Sequence, residues 1–158
     1  MNMSSIARLN MEHREKKVMA YYDDMGPGSG NCTWGIGIKA HNGPCSPLEL
    51  ARKVTDAQIG SEFSSRISQA ESAVARNVTA VLTQAQFDAL VSYTYNRGAT
   101  GAKPVYRCLN ANRFQDAAKM IASDTYGHVK KNGKVAKVLL RGLIPRRIEE
   151  SSPFRSEK

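Results

Sequence analysis

The sequence predicts an α+β domain, mostly helical, with one small sheet. Two observations predict it. Over most of the chain, apolar residues recur at helical spacing behind clear capping signals. One stretch differs: Asp23 to Pro47 holds Gly26, Gly28, Gly30, Gly35, Gly37 and Gly43 with Pro27, Pro44 and Pro47, and reads as turns and short strand. A chain of 158 residues, 41% of them hydrophobic, can bury a real core as one domain or as one domain with two lobes.

A first helix is predicted after Ser4 or Ser5, either of which can cap it. Its irregular apolar face takes in Ile6, Leu9, Val18, Met19 and Tyr22, and Glu15 falls near its end. Within the glycine-rich stretch, Thr33 to Ile38 predicts a short strand in a small twisted β-region. Ser46-Pro47-Leu48-Glu49 then combines a cap, a proline at the first helical position and a capping-box glutamate. Thr55 to Gln58 repeats that capping logic. Behind it, Ile59, Phe63, Ile67, Ala70 and Val74 predict a long helix to about Asn77, able to link two lobes. Thr83 to Gln86 starts another helix, with Phe87, Leu90, Val91 and Thr94 as its core face and Gly98 as its end. A shorter helix is predicted after Pro104. The next starts near Asn112, with Phe114, Ala117, Ala118 and Ile121 on one face. Tyr126 to Leu143 reads as a basic loop, and Pro145 opens a last helix through Arg146, Arg147 and Glu150.

Charge and composition narrow the function classes. The net charge of +9 draws the chain toward polyanions such as nucleic acid, anionic lipid or bacterial wall polymer, without choosing among them. Lys130, Lys131, Lys134, Lys137, Arg141, Arg146 and Arg147 are spread over a late loop and helix, as a solvated face would be. No helix-turn-helix or zinc-finger pattern supports nucleic-acid binding, so no nucleic-acid partner is expected. No apolar run approaches the roughly 20 residues of a membrane span, so no stable membrane insertion is expected. Met1 to Arg8 lacks the apolar stretch of a signal peptide, which predicts synthesis in the cytoplasm. Cys32, Cys45 and Cys108 form no disulfide framework; Cys32 and Cys45 can be bridged or free. His13, His41 and His128 share no ligand spacing, so neither metal nor other cofactor is expected.

The chemistry concentrates in one span: Glu15, eight residues, Asp24, eight residues, then Thr33-Trp34-Gly35-Ile36-Gly37. Taken singly, Glu15 is a helix-end charge, Asp24 a turn former and Thr33 a strand residue. Together they set two carboxyls and a hydroxyl around a glycine-rich turn. That is the minimum kit for splitting a glycosidic bond with water: one carboxyl protonates the leaving oxygen, the other holds the water, and the hydroxyl helps aim it.

This span resembles the active-site region of phage-type lysozymes, the endolysin muramidases. Further blocks carry the likeness: Cys32 to Gly37, His41 to Cys45, Leu82 to Tyr93 with Tyr95-Asn96-Arg97-Gly98, and Gly133-Lys134-Val135 with Gly142 to Arg147. It covers about residues 12–150. The resemblance implies a single lysozyme-like domain over 1–158, with an N-terminal lobe at about 1–58, a connecting helix at 59–78 and a helical C-terminal lobe at 79–158. It implies cleavage of the β-1,4 bond between N-acetylmuramic acid and N-acetylglucosamine. Glu15 would be the general acid, in a setting that retains its proton. Asp24 would be the base, orienting water with Thr33, and the anomeric centre would invert. Arg147 matches a family arginine near the acid, and Gly37 would let a sugar approach the backbone. The implied partner is the peptidoglycan glycan strand. The expected enzyme is a monomer acting on the wall in the periplasm, reached through a holin or a secretion apparatus.

The chain also departs from that pattern. Lys16 stands where the family usually has glycine, Ile38 where it often has histidine, and Met25 to Cys32 lengthens the aspartate–threonine turn. Asp23 offers the aspartate role one residue earlier, a shift that would put Arg14 in place of the acid. Two other outcomes follow from these departures and from the chemistry. One is a wall-binding homologue without catalysis; the other is a lytic transglycosylase, which needs the acid but no water-holding aspartate.

Overall fold

The computed structural model describes residues 1–131 and 134–155. Its order is α1 (Ser5–Arg14), β1 (Val18–Asp23), β2 (Asn31–Gly35), β3 (Ile38–Asn42), α2 (Pro47–Leu50), α3 (Asp56–Asn77), α4 (Gln84–Asn110), α5 (Phe114–Ser123), β4 (Tyr126–Lys131), β5 (Lys134–Leu139) and α6 (Leu143–Ser151). A 3₁₀ turn, Ser152–Phe154, follows. The fold is α+β and mostly helical, as predicted. Among the described residues no helix is long and apolar enough to cross a membrane.

The chain divides into two compact units: Ser5–Ser68, and Met1–Ser4 together with the residues from Gln69 on. In the first, β1, β2 and β3 form an antiparallel sheet in sequence order. Its core gathers Met11, Ile36, Ile38, Val54, Ile59 and Phe63, all buried. Gly35 lies against Ile59 and Ile38, where an added Cβ would come within 3.2 Å and 3.3 Å of them. Arg8 bonds Ser64 and covers the Phe63 ring at 5.9 Å, joining α1 to α3. Cys32 and Cys45 are bonded to each other, and Cys108 is a buried free thiol.

Three local expectations are corrected in or beside this sheet and in α4. Val18, Met19 and Tyr22 do not extend the first helix. That helix stops at Arg14, before the charged run Glu15-Lys16-Lys17, and the β-branched and aromatic residues that follow pair with β2 instead. Thr33 to Ile38 is not one strand. Gly35 (φ 60°) and Gly37 (φ 80°) fold it into the turn between β2 and β3. The helix expected after Pro104 begins earlier: Gly98 (φ 76°, ψ 154°) breaks α4, and the helix resumes directly, with Pro104 inside its second half.

In the second unit, Phe87, Leu90, Val91, Leu109, Ile121 and Phe154 are buried together. The capping boxes read from the sequence are present: Ser46 with Glu49, and Thr83 with Gln86. Thr55 and Gln58 exchange the same pair of bonds. Tyr126 to Leu143 is not a loop. Most of it forms the antiparallel hairpin β4–β5, paired from Tyr126↔Leu139 to Lys131↔Lys134. The Asn132-Gly133 dipeptide between the two runs is a strong hairpin signal in sequence. Those two residues, and with them Gly133 of the Gly133-Lys134-Val135 block, lie outside the described residues.

Candidate active site

Glu15, Asp24, Thr33 and Gly37 all belong to the sheet-bearing unit. Glu15 is the first residue past α1, half-buried, and its amide donates to the Glu12 carbonyl at 3.3 Å. Beside it, Lys16 is exposed. Lys17 bridges Glu12 at 2.9 Å and reaches Asp56 at 3.8 Å. The hydrogen bond from Lys17 holds the Glu12 carboxyl below its usual range.

The two aspartates have separate tasks. Asp23 closes β1, and its carboxylate accepts the Gly28 amide at 2.6 Å and the Cys45 amide at 2.7 Å. It braces the long turn and ties it to the segment after β3. Asp24 begins the turn, exposed, and meets Asn31 across its mouth. One carboxylate oxygen accepts the Asn31 amide at 2.7 Å; the other accepts the Asn31 side-chain Nδ2 at 3.1 Å. The Asp24 amide returns a bond to the Asn31 carbonyl at 3.1 Å. A side chain at Gly30 would place Cβ 2.1 Å from the Asp24 Oδ1 (its φ is +82°). The glycine at 30 is therefore what admits the carboxylate. The residues that lengthen the turn, Met25 to Gly30, are looped out within this closure.

Thr33, 4% exposed, lies two residues beyond Asn31 along β2, opposite Tyr22. Its hydroxyl donates to the same Asn31 carbonyl at 3.2 Å. Asn31 thus joins Asp24 and Thr33 into one hydrogen-bonded set. Burial first, then the Asp24 charge, pushes the Tyr22 phenol above its usual range. Gly37 is exposed at the β2–β3 turn, with nothing within 4 Å of an added Cβ. Its positive φ accounts for the glycine, and the space beyond it is open. Sequence reasoning missed Asn31. The only signal was a polar residue at the end of the glycine-rich turn, just before Cys32-Thr33.

Arg147 belongs to the other unit and is 1% exposed. It donates to Glu150 at 2.5 Å, to Asn96 at 2.5 Å and to the Asp124 carbonyl at 2.8 Å, and it covers the Tyr93 ring at 4.9 Å. Glu150, equally buried, also accepts Ser92 at 2.6 Å and Arg146 at 2.9 Å. Burial pushes the Tyr93 phenol far above its usual range.

Cys32, His41 and Glu49 bring three potential metal-ligand atoms within 4.8 Å. The Cys32 sulfur is engaged by Cys45, and His41 is paired with Glu49 at 2.9 Å, so this cluster lacks the ligand set of a metal centre. A cavity of about 550 Å³ in the second unit, between Asn112–Asp116 and Pro153–Arg155, holds none of the candidate residues.

The family model for phage lysozyme matches residues 13–150. Among solved structures, the muramidase domain of SpmX from Asticaccaulis excentricus is 26% identical, with a TM-score of 0.71 over 99% of each chain. An endolysin from Escherichia coli O157:H7 phage FAHEc1 is 26% identical with a TM-score of 0.74, over 98% of this chain and 93% of that one. A variant of P22 lysozyme, also 26% identical, gives 0.64 over 98% of each. No curated protein sequence matches the chain. The chain belongs to the phage lysozyme family and is, at that level of description, a lysozyme-like peptidoglycan hydrolase.

Proposed function

We propose that the chain hydrolyses the β-1,4 bond between N-acetylmuramic acid and N-acetylglucosamine, with inversion at the anomeric carbon. The observation that carries this reading is the Asn31 link. It holds the Asp24 carboxylate by two donors and receives the Thr33 hydroxyl, in the unit that also contains Glu15. In this reading Glu15 donates its proton to the glycosidic oxygen as the bond to C1 breaks. Asp24 accepts a proton from water as the water oxygen bonds C1 from the opposite face. Thr33 aims that water. Inversion requires the two carboxyls to stand roughly 6.5–9.5 Å apart, with the water between. Gly37 offers open backbone beside the strand for a sugar ring. Arg147 braces the last helix through its buried partners and reaches no sugar directly.

The enzyme acts as a monomer on wall glycan in the periplasm, carried across the membrane by a holin-type pore or a secretion apparatus. Mass spectrometry of fragments from purified peptidoglycan tests the chemistry. Reducing muropeptides are expected. Fragments with 1,6-anhydro ends would replace hydrolysis by transglycosylation, and sedimentation with peptidoglycan without any fragments would leave a wall-binding homologue.

A further inference from the structure

The two faces of β2 are chemically different. Successive strand residues point to opposite faces, so Thr33 and Trp34 look away from each other. Register pairs Trp34 with Tyr21, as it pairs Thr33 with Tyr22. The Tyr21 and Trp34 rings stack on the face opposite Thr33, with centroids 6.0 Å apart and 28° between planes. A groove of about 490 Å³ opens there, floored by this pair and walled by Arg52, Lys53, Gln58 and Glu62. That volume suits a small ligand rather than a protein surface.

Its charges are placed to receive an anion. The Arg52 guanidinium lies 5.7 Å from the Tyr21 ring centroid. Among the described residues neither Arg52 nor Lys53 makes an ion pair. Glu62, the acid in the wall, is balanced by Arg66 at 2.9 Å. Gln58, which lines the groove, accepts both Thr55 bonds through its carbonyl oxygen, so its Nε2 hydrogens are its remaining donors. Aromatic faces suit the C–H faces of a pyranose, and two cations beside them suit one carboxylate rather than a run of phosphates.

We propose that this groove is a second glycan site, separate from the Thr33 face. It takes an N-acetylhexosamine that carries a carboxylate, as a muramyl unit does through its lactyl group or stem peptide. The sugar stacks on Trp34, and the carboxylate meets Arg52 and Lys53. Its ligand class rests on the peptidoglycan reading above. Its effect is to hold a wall strand on the sheet while the other face works on a bond.

Trp34 is the chain's only tryptophan, so its emission reports on this groove. The full chain carrying Glu15→Gln, to prevent turnover, is titrated with a soluble disaccharide–tetrapeptide from peptidoglycan. The same background carrying Arg52→Ala and Lys53→Ala is titrated beside it. A saturable change in emission is expected, with the midpoint about tenfold higher in the double variant. A neutral N-acetylglucosamine oligomer is expected to bind more weakly than the muropeptide. Equal midpoints with and without the two cations, equal binding of the neutral oligomer, or an unmoved Trp34 signal would each overturn the site. Where the double variant loses its fold, Arg52→Gln is read in the same titration, with the same criteria. Failure of the native chain to release reducing ends, with the titration intact, would sink the hydrolytic reading and leave the groove standing.

Discussion

Asn31 is the residue on which the geometry of the proposed water-holder depends. A carboxylate at the start of a seven-residue turn has many rotamers open to it. Two Asn31 donors, and the missing Cβ at Gly30, leave Asp24 one direction. Because a misplacement near 1 Å costs a catalytic group up to about 100-fold, Asn31→Ala should lower kcat by ten- to hundredfold. KM should change little, since Asn31 acts through the Asp24 carboxylate and the Thr33 hydroxyl that it positions. Steady-state release of reducing ends, with circular dichroism to confirm an unchanged fold, checks this. A KM effect with kcat preserved would make Asn31 a binding residue instead. Asp23 is half-buried and braces Gly28 and Cys45, whereas Asp24 is exposed and shares Asn31 with Thr33, which favours Asp24 for the chemistry. In the sequence only their spacing from Glu15 separates the two adjacent aspartates; the folded turn separates them by the donors it directs at each.

At the scale of elements, β3 and α2 are joined by a brace with its own pH window. The bond to the Asn42 carbonyl, then that to Glu49, raises the His41 imidazole above its usual 6.5. The Ser46 amide and hydroxyl, with His41, hold Glu49 at about 2 against a usual 4.5. The imidazolium contribution is full below pH 6.5 and is lost as pH rises through the folded value. The carboxylate contribution is full above pH 4.5 and is lost as pH falls toward 2. The brace should therefore be strongest between those limits, and its worth is small because both groups face solvent. Amide exchange at Ser46–Glu49 should be slowest in that window and faster on either side. A profile flat from pH 3 to 9, once corrected for intrinsic exchange, would contradict it. The helices were legible because their ends carry local chemistry: Ser46-x-x-Glu49 and Thr83-x-x-Gln86 form the boxes their spacing predicts. The strands were less so. Val18 to Tyr22 continues an apolar pattern that a helix can also use, and only pairing with β2 decides it. The β4–β5 hairpin hid behind its lysines, whose charge reads as loop although Val138 and Leu139 pair in register.

Across the whole molecule, the family signal was legible because it rests on ordered blocks in both compact units, from Glu15 to Arg147. The candidate site was half legible. Glu15, Asp24 and Thr33 stand at readable spacing, but the Asn31 link arises from a turn closing on itself, and spacing does not encode that. The Tyr21–Trp34 stack was invisible for a similar reason, since cross-strand register puts residues thirteen apart side by side. The basic charge of +9 suits a chain that works on an anionic wall, and it screens with salt; the chemistry of the cut does not. Glu15 and Asp24 are proposed to divide acid and base work in a hydrolysis. Reducing-end release from purified peptidoglycan, with the native chain beside Glu15→Gln and Asp24→Asn, decides this division. Release by the native chain is expected, with a loss of at least about 100-fold in each variant and peptidoglycan binding kept. Release at the native rate by either variant would contradict it.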